Sequence, residues 1–258
     1  MTERDTTEAL HKWLLSEPGR YVRSWEQRHS SRLTHQVFGY HAIQVGLPEW
    51  DFLRHNRILH KWCLVEQADL QTVKHPLVVG VAEALPFATE SIDLLVLPHT
   101  LETSSDPHQL LREVQRVLVP EGKVVISGFN PWSLWSARDR LPGLDDLLPI
   151  APPVQLSPWR VIDWLELLSF ELSDEYLGGY GPLLSDKKWT KRWRFIEHWG
   201  AKWWPFLGGV YMLKATKRVS HIRLVGLEWN KQPRSRAQTA MASGRSQWSK
   251  TTYSGKHK

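Results

Sequence analysis

The chain has 258 residues and a single cysteine, Cys63. No disulfide can form within it, and no cage of cysteines can hold a metal. A reducing, cytoplasmic setting suits that composition. Long apolar runs are also missing, since none reaches the roughly 18 residues that a membrane-spanning helix needs. The first residues, MTERDTTEALHKW, are charged and lack the apolar stretch of a secretory signal. No Gly-x-Gly-x-x-Gly follows any predicted strand, which argues against a nicotinamide-dependent oxidoreductase. Acids nearly vanish at the end of the chain. From Lys217 onward, ten Lys and Arg (217, 218, 223, 231, 234, 236, 245, 250, 256 and 258) face Glu228 alone. The net charge of +6 therefore belongs to the tail, and the body is slightly acidic.

What is present is a series of short β-branched runs. HAIQV (41–45), WCLVE (62–66), PLVVGV (76–81), LLVLP (94–98) and VVISGF (124–129) read as strands. They are continuous rather than alternating, the habit of parallel strands covered on both faces. Between the last two, Asp106 caps a helix, Pro107 opens it, and Leu110, Leu111, Val114, Val117 and Leu118 form one apolar stripe. Strand, helix, strand in this order makes a parallel pair with a right-handed crossover. LPEWDFLRHNRIL (47–59) is expected to be a second helix, and SPWRVIDWLELLSF (157–170) a third. FELSDEYLGG and GGVYMLKATK read as two more strands. The fold class is α/β, with an open, mostly parallel sheet.

The block GVAEALPFATESIDLLVLPHTLETSSDPHQLLREVQRVLVPEGKVVISGFNP resembles the central motifs of class I S-adenosylmethionine-dependent methyltransferases, closest to the branch that methylates small molecules. Ala82, Glu83, Leu85, Pro86, Phe87, Asp93, Arg116, Val117, Leu118, Pro120 and Gly122 stand at the family's motif positions. The resemblance implies a Rossmann-like, seven-stranded sheet with helices on both faces. It also implies S-adenosylmethionine as cofactor, with S-adenosylhomocysteine as its product, and no metal. The link between strands three and four would cross the carboxyl ends of the strands, where open α/β sheets bind ligands.

Carried over position by position, the resemblance assigns Gln44 and Gly46 to the methionine part of the cofactor. It assigns Glu66 to the ribose, and Val81, Ala82, Glu83 and Leu85 to the adenine. Pro98, His99 and Thr100, at the end of strand four, would face the transferred methyl. His99 is the candidate base or acceptor-orienting donor, with a bond to local backbone as the plainer alternative; Asn130 and Trp132 would wall the acceptor. The glycine motif is reduced. QVGLPEW keeps Gly46 alone, and Gln44 stands where the family has an acid. Val81 likewise replaces an acid. The expected activity is methyl transfer to a small acceptor, lipophilic in one version of this reading. The alternative is a degenerate member of the fold that acts as a binding or regulatory module.

The expected organisation is a helical segment over residues 1–36 that covers the site, a methyltransferase-fold domain over 37–218, and a basic, disordered tail over 219–258. Residues 185–205 form a Trp-rich helical insertion. Seven of the fifteen Trp lie between Trp159 and Trp204, several of them interleaved with Lys and Arg. That insertion reads as a packed lid, as a helix lying on an anionic membrane, or as a nucleic-acid contact. Nucleic acid is otherwise expected only at the tail.

Overall fold

The structure is a computed structural model that describes residues 3–67, 74–141, 147–151, 154–181, 200 and 203–218. Most of the Trp-rich segment and the tail from 219 onward lie outside the described residues.

Two helices come first, α1 (Glu3–Leu15) and α2 (Glu17–Thr34). Then follow β1 (His41–Val45), β2 (His60–Val65), β3 (Leu77–Val79), β4 (Ile92–Pro98), α3 (Thr100–Thr103), α4 (Pro107–Val117) and β5 (Leu118–Phe129). The chain continues through α5 (Leu134–Asp139), α6 (Pro158–Leu167), β6 (Phe170–Gly178) and β7 (Val210–Lys217). The strands form one seven-stranded sheet in the order β3-β2-β1-β4-β5-β7-β6. The β3 to β5 side is parallel, and β7 runs antiparallel to both β5 and β6.

Alternate residues of each strand feed two cores. On one face Ala42, Leu94, Val96, Val125 and Met212 meet Leu10 and Leu14 of α1 and Val22, Trp25 and Leu33 of α2. On the other, Ile43, Leu95, Leu97, Ile126 and Leu213 meet Leu110, Leu111, Val114 and Val117 of α4 and Val161 and Leu165 of α6. Burial on both sides is why the strands read as unbroken apolar runs. Helix starts follow their caps. Asp106 accepts from Gln109 N at 2.9 Å, and Ser157 accepts from Arg160 N at 3.3 Å.

Asp93 does more than open β4. Its carboxylate accepts the backbone N–H of Tyr40 at 2.8 Å and of His41 at 2.9 Å. Gly39 makes room for it, since a Cβ there would lie 2.2 Å from Asp93 Cγ. The start of β1 is thus tied to β4 across the sheet.

The segment 47–59 is not a helix. It runs as turns between β1 and β2. Leu47, with φ of 49°, lies in the left-handed region and so outside a right-handed helix. Asp51 and Asn56 then take the backbone N–H groups of Leu53 and Ile58, two residues on. These local bonds compete directly with helical ones.

Candidate functional site: a cavity at the carboxyl ends of the parallel strands

β2 and β4 flank β1, so the loops after β1 and β4 leave in opposite directions. Such a switch point opens a crevice at the carboxyl ends. Here the crevice is a cavity of about 540 Å³. Its floor and walls come from Val45 to Glu49, from Leu64 to Gln67, and from Gly80, Ala82, Pro98 and Thr100. Thr7, Glu8, Leu10 and His11 of α1 close one side.

The loop after β1 is built from inside. Gln44 is 1% exposed. Its Nε2 donates to the carbonyls of Gly46 (3.0 Å), Leu47 (2.9 Å) and Trp50 (2.8 Å). Its Oε1 accepts from Phe52 N at 3.1 Å. The two N–H groups of the amide are shared among these three carbonyls, and a carboxylate could make none of the bonds, because it has no proton to give. Glutamine at this position is therefore a staple for a loop short of glycine. Leu47 bears the local cost, since a left-handed non-glycine residue is disfavoured by about 1–2 kcal/mol. Gly46, at φ 77°, has nothing within 4 Å of where a Cβ would stand. Its bare backbone faces open space, as close approach of a ligand requires.

The loop after β3 is built from outside, by α4. Glu113 accepts Leu85 N at 3.0 Å. Arg116 donates to the carbonyls of Leu85 and Phe87, both at 2.9 Å, and bonds Glu113 at 2.7 Å. That guanidinium holds the Glu113 carboxyl below the usual range. Glu83 accepts from Ser104 Oγ at the end of α3. The Leu-Pro-Phe turn is thus pinned at both carbonyls, which explains an Arg three residues after a Glu on this helix.

The end of β4 conceals a charge cluster. His99 has φ 54°, is fully buried, and does not line the cavity. Its Nδ1 bonds Glu102 Oε2 at 2.8 Å. Its Nε2 lies 2.9 Å from Glu26 Oε1 of α2, an ion-pair distance without hydrogen-bond alignment. Burial alone would lower its pKa. The charge of Glu26 and the bond to Glu102 outweigh that, and the pKa rises to about 10. His99 is therefore a buried imidazolium between two carboxylates. Burial in turn pushes the Glu102 carboxyl up, although His99 and Phe129 N, which donates at 2.8 Å, oppose the shift. The next residue, Thr100, donates to Val45 O at 3.1 Å and so joins the β4 end to the first loop.

Five of the residues assigned from the sequence come together in the cavity wall: Gly46, Glu66, Ala82, Pro98 and Thr100. The others stand elsewhere. Gln44 is spent on backbone. Val81 is exposed and bridges Ala84. Glu83 holds Ser104, and Leu85 is core beneath the loop. His99 is sealed, which removes it as a base. Asn130 is buried and donates to the carbonyls of Phe206 and Gly208, and Trp132 is exposed outside the cavity. The sequence predicts a helical segment over the site but singles out none of its residues, because nothing local ties Thr7 or His11 to a strand end. Cys63 is buried, and burial pushes its thiol up to about 12, so it is no nucleophile.

Residues 62–126 match the family model of a methyltransferase domain. The uncharacterized protein YafS of Escherichia coli (strain K12) is 34% identical over 156 residues, 60% of this chain and 62% of YafS. Malonyl-[acyl-carrier protein] O-methyltransferase 1 of Coxiella burnetii is 39% identical over 67 residues, 26% of this chain and 24% of that protein. The chain thus spans less than two thirds of the length of either curated relative. Among solved structures, a Thermotoga maritima methyltransferase, described as a possible histamine N-methyltransferase, superposes with a TM-score of 0.57 and 17% identity. That match covers 84% of this chain and 97% of the other. An Archaeoglobus fulgidus methyltransferase gives 0.54 and 18%, over 77% and 94%. Sheet order and the structural likenesses show the fold: the chain has the class I methyltransferase fold.

Proposed function

We propose that the chain binds S-adenosylmethionine in this cavity and transfers its methyl group to a small, lipophilic acceptor. One observation carries the reading. The cavity lies at the β1 switch point and brings together Gly46, Glu66, Ala82, Pro98 and Thr100, five positions that the family motifs mark independently. The residues suit the ligand. Glu66 is exposed at the end of β2, where a carboxylate can accept both ribose hydroxyls. Gly46 leaves backbone open to the methionine part. Ala82 offers a flat apolar wall to adenine. When bound, the cofactor supplies a methyl group on a sulfonium, an electrophile that needs no metal.

The chain's own part is then alignment and exclusion of water. Pro98 and Thr100 line the cavity at the end of β4, and Thr7, Glu8, Leu10 and His11 of α1 line one side of it, so these residues would orient the bound pair and keep water out. Leu10, Val45, Leu47 and Leu64 give the wall an apolar stretch among its acids and hydroxyls, which would suit the apolar part of an acceptor. Isothermal titration with S-adenosylmethionine and S-adenosylhomocysteine tests the reading. Micromolar binding of both is the expected result. No heat up to millimolar ligand would remove it.

A further inference from the structure

The class I pattern places a carboxylate at the end of strand one for the cofactor's ammonium group. This chain has Gln44 there, and the Gln44 amide is fully used by the loop. An ammonium ion in a partly dry cavity still needs an anion.

We infer that Glu49 has taken over this task, its carboxylate receiving the α-ammonium group of S-adenosylmethionine from the loop that Gln44 staples. The inference rests on the S-adenosylmethionine reading. Glu49 follows Pro48 in the same loop, and both line the cavity beside Gly46. Its side chain is 33% exposed, open enough to meet a ligand. Oε2 lies 2.8 Å from His11 Nε2 of α1, and Oε1 has no hydrogen-bond partner among the described residues. His11 is itself held in place, stacked on Trp50 with ring centres 5.5 Å apart. Arg23 of α2 lies over the Trp50 ring, 5.6 Å from its centroid.

The other two acids of the cavity are less suited. Glu8 is paired with Lys12 at 2.7 Å and two-thirds exposed. Glu66 stands at the end of β2, where the ribose is expected. Only Glu49 combines the glycine-loop position, a free carboxylate oxygen and partial burial.

The test is titration calorimetry on the full chain with two ligands. S-adenosylhomocysteine carries the amino-acid part, and 5′-methylthioadenosine lacks it. Glu49→Gln should weaken S-adenosylhomocysteine by about tenfold, the worth of one charge-assisted bond, and leave 5′-methylthioadenosine unchanged. His11→Gln should stay nearer to wild type than Glu49→Gln for S-adenosylhomocysteine, because it leaves the carboxylate in place. Equal weakening of both ligands, or of both variants, would show that the pair only holds α1 and would overturn the inference. So would unchanged affinity in Glu49→Gln. If the wild-type chain binds neither ligand, the S-adenosylmethionine reading itself fails.

Discussion

The loops after β1 and β3 wall the same cavity but are held in opposite ways. The β3 loop has its Leu-Pro-Phe turn gripped from outside by Glu113 and Arg116 of α4. The β1 loop has a single glycine, Gly46, and is gripped from inside by Gln44, a buried residue of the sheet itself. Loop shape can therefore be secured by conformational freedom or by a hydrogen-bonded staple. The staple has a consequence that glycine lacks. It uses up a position that would otherwise meet the ligand, and so moves ligand recognition along the loop.

The sharpest way to break the comparison is Gln44→Glu. A carboxylate would then face three carbonyl oxygens in the core, and an uncompensated buried charge costs about 3–5 kcal/mol. Denaturant unfolding should show that loss. A change below about 0.5 kcal/mol, the size typical of a surface substitution, would mean that the staple does not hold the loop.

Next in size is the support common to both loops. His99 stabilises the fold while it is protonated, and its pKa of about 10 lies above the ordinary 6.5. Its contribution is full below pH 6.5 and is lost as pH rises through about 10. Glu26 from α2 and Glu102 from α3 are the partners left uncompensated, while burial keeps Tyr211 of β7 neutral to higher pH. Because α3 reaches both loops, through Thr100 to Val45 and Ser104 to Glu83, alkaline pH should loosen both together. Thermal melts across pH 7–11 should show the step in the wild type and not in His99→Gln.

Arg116→Ala sharpens the contrast from the other side. Arg116 is partly exposed, so loss of its carbonyl bonds should cost about 1–2 kcal/mol and free the β3 loop alone. Hydrogen exchange should speed up at residues 84–88 and stay unchanged at 46–52. The smallest effect is expected at Glu90, an exposed residue at φ 52° in the same loop. Glu90→Gly should raise stability by about 0.5–1 kcal/mol in a melt, because glycine tolerates the left-handed region.

Much of this was legible in the sequence. The apolar runs marked the strands, Asp106 and Pro107 marked α4, and the motif block implied the seven-stranded, mostly parallel sheet. The failures share one physical cause. Gln44, His99 and Asn130 are polar residues next to strand ends, and sequence alone cannot tell a polar group facing a ligand from one satisfied inside the core. The 47–59 helix failed because Asp51 and Asn56 bond their own neighbours. A helical cover over residues 1–36 was expected, but which of its residues line the wall was hidden by distance, since Thr7 to His11 meet the strand ends only through the fold.

Hydrogen exchange at Phe52 tests the central claim most directly. If Gln44 builds the loop before any ligand arrives, the Phe52 amide is protected in the free protein and changes little with S-adenosylhomocysteine. Fast exchange that slows only when ligand is added would show that the ligand, not Gln44, shapes the loop.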